Sequence, residues 1–501
     1  MRAMKHRIFL AIASAALLLS SCGEQWLDVA SKTQILESNY YNSEDRLFTA
    51  VVAAYDPLEW FDYFNQYNAL NMLSDIMADD VYCGGSNEGD QPILVKTHYY
   101  TCSSTDVPNQ VWTVAYSGIN RSNIVLAKAP DVEMDAALKS RFIAEATVLK
   151  AFYWNVLWHF WGNIPYYEEN LTADESYSAE QLQADEVYAK VIALLESAID
   201  MNALPMKAAA GEEGRITQAM AYMLYAEMVM YQNDNARYSK ALGYMKDIIS
   251  SGKYALVSDY EGIFREAGEW CAESVWEINY ESVGGMRDWG WANGTGGQVY
   301  SVLIGIPGAP TGSGFRDGWG FEPVRPQAWN MFEDGDIRRE GSIIDWTARQ
   351  EEYAPRWQNT GYFLNKYVAR EGDNHDYAAD PNLNNGNNFR IYRYAETLLN
   401  AAELSVRTGG DGAAYLNEVR ARAGVGNVSC TLENILEERH LEFVGEGKRY
   451  WDLVRTGMAA TVLTAANHEY RQQSWTESKK YWPIPQSEMD RSVTPLTQNP
   501  Y

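Results

Sequence analysis

The sequence predicts a mainly α-helical fold, in which tetratricopeptide-like helical pairs form a scaffold with long irregular loops and a few short strands. Three observations support this fold class. Helical segments begin near residues 142, 182 and 217, and these separations are close to the tetratricopeptide period of about 34 residues. Helical spacing is lost between residues 252 and 388 and then returns. One segment, residues 141–167, is apolar on nearly every side of a helix, so other helices must surround it.

This apolar segment is predicted to be the central helix. Fifteen of the twenty residues from 142 to 161 are apolar, and the five polar ones are spread around the helix axis. A helix that spans a bilayer needs about 20 nearly uninterrupted apolar residues, so the scattered polar residues favour burial among other helices. Gly162 and Pro165 are expected to end the helix. The predicted core tryptophans are Trp112, Trp154, Trp158 and Trp161.

Residues 1–21 have the composition of an export signal. Arg2, Lys5 and Arg7 form a basic start, an apolar stretch follows, and small residues precede Cys22. This ending is typical of a bacterial lipoprotein signal, which makes Cys22 the predicted lipidation site. The alternative is an ordinary secretory signal with an incidental cysteine. The expected organisation is a signal peptide over residues 1–21, a lipidated tether over 22–42 and one domain over 43–501.

The domain divides into a helical scaffold and loops. Apolar residues at helical spacing predict helices over residues 43–58, 68–77, 110–128, 135–161, 180–201, 217–231, 238–250, 389–408, 413–423, 432–443 and 449–455. Alternating apolar residues predict a strand over residues 275–281, and prolines make residues 481–485 extended. The scaffold is thus expected over residues 110–251 and 388–463. Two regions without helical spacing, residues 79–108 and 252–388, are the predicted ligand-binding loops.

The composition also excludes some partners. The formal net charge is −26, and the resulting negative potential repels nucleic acids and other polyanions. A neutral ligand is therefore favoured, although a local arginine can override the overall field. Seventeen tryptophans and thirty-four tyrosines provide more aromatic surface than a core requires.

Four cysteines follow Cys22 in what would be an oxidising compartment. They are Cys83, Cys102, Cys271 and Cys430. The sequence cannot choose among their three complete pairings. Because Cys83 and Cys102 flank a polar loop, they are the first pair to consider. Unpaired buried thiols are the alternative.

Aromatic residues in the two loop regions are the candidate ligand contacts. A sugar ring packs its C–H face on an aromatic ring, while fixed polar groups bind its hydroxyls. Helical spacing does not explain these aromatic residues. The predicted ligand-binding residues are Trp289, Trp291, Trp319, Arg316, Tyr82, Asn87, Asp80, Tyr99 and Tyr100. The competing explanation is that they pack the loops onto the scaffold or, for Asp80, form a turn that ends a helix.

No catalytic or metal-binding pattern is visible in the sequence. Glycoside hydrolysis needs two carboxylates about 5 Å or about 6.5–9.5 Å apart across a cleft, and no such pair stands out among sixty-seven acidic residues. The six histidines lack the spacing of a catalytic triad or a zinc site. The charged residues in 333–339 and 437–455 have the spacing of ion pairs and are expected to be structural. No cofactor is expected, and the sequence leaves open whether the Asp/Asn-rich residues 373–388 bind calcium.

Several motifs, in their order along the chain, resemble the SusD/RagB family. They are Cys22 followed by Trp26-Leu27-Asp28, FRIYRYAETLLNAAEL from Phe389, LNEVRARAG from Leu416, ERHLEFVGEGKRYWDLVR from Glu438 and YWPIPQSEM from Tyr481. The resemblance implies an outer-membrane lipoprotein of Bacteroidetes, exposed on the cell surface, that binds a glycan without catalysis. It also implies delivery of that glycan to a SusC-like TonB-dependent transporter.

The partners expected from this resemblance are the transporter, a neutral glycan and outer-membrane lipid attached through Cys22, without nucleic acid. A RagB-type peptide-binding lipoprotein is the alternative. A cell-surface glycoside hydrolase is a third possibility from a different functional class. The sequence does not identify the glycan, its linkage or its length.

Overall fold

Helices dominate the computed structural model, which describes residues 40–175, 177–289, 296–373 and 379–501. The helices are α1 Glu44–Tyr55, α2 Pro57–Trp60, α3 Leu70–Met77, α4 Pro92–Tyr99, α5 Asn109–Lys128, α6 Ala136–Trp161, α7 Ala184–Asp200, α8 Gln218–Gln232, α9 Tyr238–Ser250, α10 Tyr300–Leu303, α11 Pro326–Asn330, α12 Arg338–Ser342, α13 Trp346–Arg349, α14 Tyr394–Arg407, α15 Ala413–Ala423, α16 Leu432–Glu442, α17 Arg449–Arg455, α18 Ala459–Val462 and α19 Gln486–Arg491. The predicted mainly α fold class is confirmed.

The strands are short and form antiparallel pairs. They are β1 Ile164–Pro165, β2 Gln181–Leu182, β3 Ser274–Ile278, β4 Ile343–Asp345, β5 Tyr362–Leu364 and β6 Phe389–Arg393. Strand β1 pairs with β2, β3 with β6, and β4 with β5. Because β3 and β6 are distant in sequence, their pairing joins the start and the end of the irregular region 252–388.

Helix α6 is the central element, as its apolar composition predicts. The side chain of Asp135 accepts a hydrogen bond from the Leu138 backbone amide and caps its start. Every residue from Ala144 to Trp161 is buried. The scattered polar residues have partners inside the protein; Asn155 Nδ2, for example, donates to Glu227 Oε1 at 2.8 Å. Gly162 has a positive φ of 63°, a conformation that glycine adopts without strain.

The scaffold helices pack in sequence order. Helix α5 packs on α6, α6 on α7, α7 on α8 and α8 on α9. Helix α9 then packs directly on α14, although the irregular region lies between them in the sequence. Helix α14 in turn packs on α15 and α16. The two predicted scaffold segments therefore form one continuous stack, and residues 252–388 are an excursion from it.

Three sequence predictions about elements are wrong. Residues 389–393 form strand β6 and not the first turn of a helix. Residues 92–99, inside the first predicted loop, form helix α4. The predicted first helix is interrupted, because Pro57 begins a separate helix after α1. The strand predicted over residues 275–281 is present as β3, and all five of its residues are buried.

The described residues contain neither a membrane-spanning helix nor a disulfide bond. Among the described residues, no helix has the length and apolar character needed to cross a membrane. Within those same residues the four cysteines are unpaired, and Cys83 and Cys102 are buried. The structure thus contains free thiols and not the Cys83–Cys102 pair. The predicted signal peptide and Cys22, the predicted lipidation site, lie outside the described residues.

Candidate functional site

Two loop tryptophans stack on each other at the surface of the irregular region. The ring centroids of Trp289 and Trp319 are 6.0 Å apart, and their planes differ by 23°. Trp289 is 41% exposed, and Trp319 is half-buried. Exposed indole surface is what the C–H face of a sugar packs on. We call this pair the tryptophan platform.

Two tyrosines that were not singled out in the sequence support the platform. A tight turn at Asn65, whose φ is +61°, brings Tyr63 and Tyr67 together as an antiparallel bridge. The Tyr63 ring meets Trp289 edge to face at 5.6 Å, and the Tyr67 ring lies 6.1 Å from that of Trp319. The available signal was the cluster of aromatic residues in the short link between two predicted helices.

Buried polar side chains anchor the glycine-rich loop, residues 284–320 with twelve glycines, to that link. Arg287 is 1% exposed, and its Nη1 lies 3.3 Å from Asp62 Oδ2. The carboxylate of Asp62 also accepts hydrogen bonds from the backbone amides of Val299, at 2.8 Å, and Tyr300, at 3.1 Å. Burial raises the pKa of Asp62, while the charge of Arg287 opposes that shift. These contacts attach the loop on both sides of the platform residues.

A carboxylate from the Asp/Asn-rich segment, residues 373–388, orients Trp289. The indole N–H of Trp289 donates to Asp380 Oδ2 at 2.7 Å. The Asn384 side-chain amide joins the same two segments, because its Nδ2 donates to the carbonyls of Arg287, at 2.9 Å, and Asp380, at 2.7 Å. Polar residues of the Asp/Asn-rich segment therefore hold Trp289, one of the two tryptophans of the platform, in place.

Close backbone contact places the other half of the platform. The Trp319 amide donates to the carbonyl of Val302 at 2.9 Å. Beside this bond the backbones of Gly305 and Gly318 touch, so that a Cβ on Gly318 would lie 2.2 Å from Gly305 Cα. Any side chain there would push the two segments apart. This contact explains part of the glycine content that the sequence shows.

The other predicted surface residues lie in neighbouring loops. Asn87 is exposed, and its turn lies beside the Trp319 segment because the Gly85 amide donates to the Gly320 carbonyl at 3.1 Å. Arg316 is half-buried, and its guanidinium donates to Asn385 Oδ1. Trp291 lies outside the described residues.

Three predicted ligand tyrosines are placed in the core instead of at the surface. Tyr82 is 3%, Tyr99 7% and Tyr100 0% exposed. Tyr82 packs edge to face on Tyr470 with the centroids 4.7 Å apart, and the Tyr100 hydroxyl donates to the Met77 carbonyl. Tyr99 and Tyr100 lie at the end of α4, which packs on α3. These side chains hold the first loop region on the scaffold, as the competing explanation proposed.

Asp80 is also buried, in an ion-pair cluster at the end of α3. His440 Nε2 lies 2.6 Å from Asp80 Oδ1, and Arg449 Nε donates to Asp79 Oδ1 at 2.9 Å. Oxygen and nitrogen atoms of Asp79, Asp80 and His440 come within 4.8 Å of one another, a spacing that metal ligands also show. Burial raises the pKa of Asp79, but His440, Arg449 and Arg325 outweigh it and lower the pKa to about 2. The charges of Arg449 and Arg325 disfavour a metal ion, and we interpret the cluster as structural.

Two family models match the chain. The model described as SusD family matches residues 338–501. The model described as starch-binding associating with outer membrane matches residues 25–229.

Solved structures and curated sequences are similar over nearly the whole chain. Surface glycan-binding protein A from Bacteroides thetaiotaomicron is 45% identical with a TM-score of 0.88, over 92% of this chain and 100% of that one. The same protein in complex with laminarihexaose gives a TM-score of 0.87. A laminarin-binding SusD-like protein is 30% identical with a TM-score of 0.83, over 92% and 100% of the two chains. SusD-like protein P25 from Formosa agariphila is 24% identical over 92% of this chain and 91% of its own length.

Proposed function

Since this chain belongs to the SusD family, we propose that it binds an oligosaccharide or polysaccharide at the tryptophan platform without chemical change. The observation behind this proposal is the stacked, partly exposed pair Trp289 and Trp319. Its support by Tyr63, Tyr67 and Asp380 holds the aromatic surface in place before a ligand arrives. A site that is ordered in advance loses less conformational entropy on binding.

The ligand that we propose is laminarin or a similar neutral glucan. The relatives at 45% and 30% identity include one solved with laminarihexaose and one named as laminarin-binding. The net charge of −26 also favours an uncharged ligand over a polyanion. Hydrogen-bonding groups for the hydroxyls are available near the platform on Asn87 and Asp380.

The cellular setting follows partly from the family. Association with the outer membrane is a property that the matched family description names. We propose further that lipid on Cys22 anchors the protein, that the protein faces the cell exterior, and that it passes its glycan to a SusC-like TonB-dependent transporter. The signal-like residues 1–21 and the small residues before Cys22 support this anchoring.

Calorimetry with laminarin, laminarihexaose and a panel of other glycans tests the binding site. We expect Trp289→Ala and Trp319→Ala each to weaken laminarihexaose binding about 30-fold, which corresponds to a hot-spot loss of about 2 kcal/mol. Trp329→Ala is the matched control, because Trp329 is also half-buried but stacks on Tyr362. Its affinity should equal that of the unmodified protein.

Three outcomes would contradict the proposal in different ways. Failure to bind any glycan, together with clear binding of peptides, would favour the RagB-type alternative. Release of new reducing ends from a polysaccharide would favour a hydrolase. Unchanged affinity in both platform variants would leave glycan binding intact but place it elsewhere on the surface.

A further inference from the structure

A cavity of about 140 Å³, partly open to the surface, lies where α3, α6, α8, α17 and β6 meet. This volume is about ten times what one water molecule needs. An engineered apolar cavity of about 150 Å³ binds a benzene ring, so a volume of this size suits one six-membered ring. Neither tryptophan of the platform lines the cavity, although Asp62, which anchors the loop of Trp289, does. The cavity is therefore next to the platform's anchor but does not include the aromatic surface of the platform.

The wall of the cavity is mainly apolar, with ten aromatic residues, and Glu227 is its most exposed carboxylate. The aromatic residues include Phe61, Phe152, Phe160, Tyr231, Tyr392 and Trp451. The side chain of Glu227 is 28% exposed, although its carboxylate points into the protein. Its Oε1 accepts from Asn155 Nδ2 at 2.8 Å, and its Oε2 accepts from the Tyr392 hydroxyl at 2.9 Å. Each carboxylate oxygen can accept two hydrogen bonds, so Glu227 keeps acceptor capacity that faces the cavity.

The charged side chains in the wall of the cavity form ion pairs. Lys448 Nζ lies 3.1 Å from Glu396 Oε2 and 3.9 Å from Glu227 Oε2. Arg439 Nε lies 2.8 Å from Asp452 Oδ2. A charged guest would add an unpaired charge to the cavity, which is unfavourable. The pairing thus favours a neutral guest that forms hydrogen bonds.

Several buried polar atoms in the wall lack a hydrogen-bond partner among the described residues. They include Asn71 Nδ2, Asn155 Oδ1 and the Tyr231 hydroxyl. Buried polar atoms in native proteins nearly always have a partner, which can be a water or a ligand. Donors and acceptors of both kinds therefore surround an aromatic chamber, the combination that binds hydroxylated rings.

We propose that this cavity is a second ligand site, which takes one neutral polyhydroxylated six-membered ring such as a monosaccharide or a cyclitol. Glu227 accepts hydrogen bonds from its hydroxyls, Lys448 donates to them, and the aromatic residues pack on its C–H faces. This site is independent of glycan binding at the tryptophan platform.

Ligand-observed NMR with glucose, galactose, mannose and myo-inositol tests this proposal on the purified protein. We expect saturable binding of at least one of these probes. Glu227→Gln, which keeps the side-chain size, should weaken that binding at least tenfold. Ala69→Leu, which fills the cavity from its wall, should also weaken it, and circular dichroism will show whether each variant is folded. Glu196→Gln is the matched control, because Glu196 forms ion pairs with Arg237 and Lys240 and does not line the cavity.

The two sites can be separated in the same experiment. Trp289→Ala should lose laminarihexaose affinity and keep binding of the small probe, whereas Glu227→Gln should do the reverse. A crystal structure soaked with the bound probe should show it beside Glu227. The proposal would be overturned if the unmodified protein bound none of the four probes and the cavity held only water molecules. Equal probe affinity in the unmodified protein and both folded cavity variants would also overturn it.

Discussion

Buried polar residues, more than apolar ones, determine where the tryptophan platform lies. Arg287 and Asp62 pair at 3.3 Å beneath the loop, and Asn384 joins that loop to the segment that contains Asp380. Because a buried polar group without its partner is costly, these residues specify one loop arrangement. The indole of Trp289 gains its orientation from the same set through Asp380. Single side chains thus convert a glycine-rich loop into a defined surface.

The buried carboxyl group of Glu322 leads us to predict that the stability of the protein depends on pH. Burial raises its pKa from 4.5 to about 8, against the opposing effect of the Tyr300 hydroxyl. In the unfolded chain this carboxyl loses its proton near pH 4.5, whereas in the folded protein it keeps the proton until about pH 8. The folded protein therefore loses stability relative to the unfolded chain as the pH rises from 4.5 to about 8. We expect Glu322→Gln to gain roughly 3–5 kcal/mol of unfolding free energy relative to the unmodified protein between pH 4.5 and pH 8.

Urea denaturation at several pH values measures this difference. Burial and the charge of Glu322 both raise the pKa of Asp75, so the difference between the two proteins reports Glu322 together with its effect on Asp75. The exposed substitution Glu133→Gln is the control and should follow the unmodified protein. Parallel pH curves for Glu322→Gln and the unmodified protein would show that Glu322 is ionised in the folded state.

The residues of the candidate site were only partly predictable from the sequence. Trp289 and Trp319 stood out because no helical spacing explained them. Tyr63 and Tyr67 did not, because their proximity depends on a turn at Asn65 with positive φ, and local composition does not specify that turn. Tyr100 was predicted to contact ligand because α4, the helix that ends beside it, lacks a clear apolar face in the sequence. In the structure the Tyr100 hydroxyl is buried and donates to the Met77 carbonyl.

For the secondary-structure elements, helical spacing predicted the ranges of the scaffold helices well. It did not show which strands pair with each other. Helix α9 matches its predicted range, and α5, α15 and α17 match theirs within one residue. Strand β6 was predicted as helix because its apolar residues continue into α14 without a break. What makes it a strand is its pairing with β3, which lies more than 100 residues earlier. Long-range pairing of this kind overrides local preference.

The central helix supports a stability prediction. Trp158 is 1% exposed and packs on Tyr188 and Tyr231 with centroid distances of 5.4 and 5.1 Å. Trp158→Ala should therefore lower the unfolding free energy by about 3–5 kcal/mol. Trp158→Phe, which keeps an aromatic ring, should cost less. Chemical denaturation measures both, and glycan affinity of the folded protein should not change in either. A loss below about 1 kcal/mol in Trp158→Ala would mean that the surrounding helices close the space.

At the scale of the whole molecule, one buried ionic network joins the irregular region to the helical scaffold. Its members form ion pairs of 3.3 Å or less, and none of their side chains is more than 7% exposed. The network consists of Arg338, Lys366, Arg393, Arg420, Arg422, Glu273, Asp336, Glu438, Glu442 and Glu446. Five positive and five negative groups leave it neutral. Burial raises the pKa of Glu442, but Arg422 and Arg393 outweigh that effect and lower it.

This network predicts that loops and scaffold unfold together. Arg338 in the irregular region pairs with Asp336 at 2.7 Å and with Glu438 of α16 at 2.5 Å. Arg338→Met leaves buried carboxylates uncompensated and should cost about 3–5 kcal/mol. Adding Asp336→Asn should recover part of that loss, because it removes one unpaired charge. Arg491→Met is the control, because Arg491 is 59% exposed and forms a loose ion pair with Glu488 at 3.7 Å. This substitution should change stability by about 0.5 kcal/mol or less.

Denaturation followed by two signals distinguishes this joint unfolding from independent unfolding of the loops. Far-UV circular dichroism reports the helices, and tryptophan fluorescence reports the loops as well, because Trp289, Trp319 and Trp346 lie there. If the network couples the two parts, both signals should share one midpoint, and Arg338→Met should shift that midpoint for both equally. Loops that unfold at lower denaturant than the helices in the unmodified protein, or an Arg338→Met variant as stable as Arg491→Met, would contradict the coupling. In that case apolar packing alone would hold the irregular region on the scaffold.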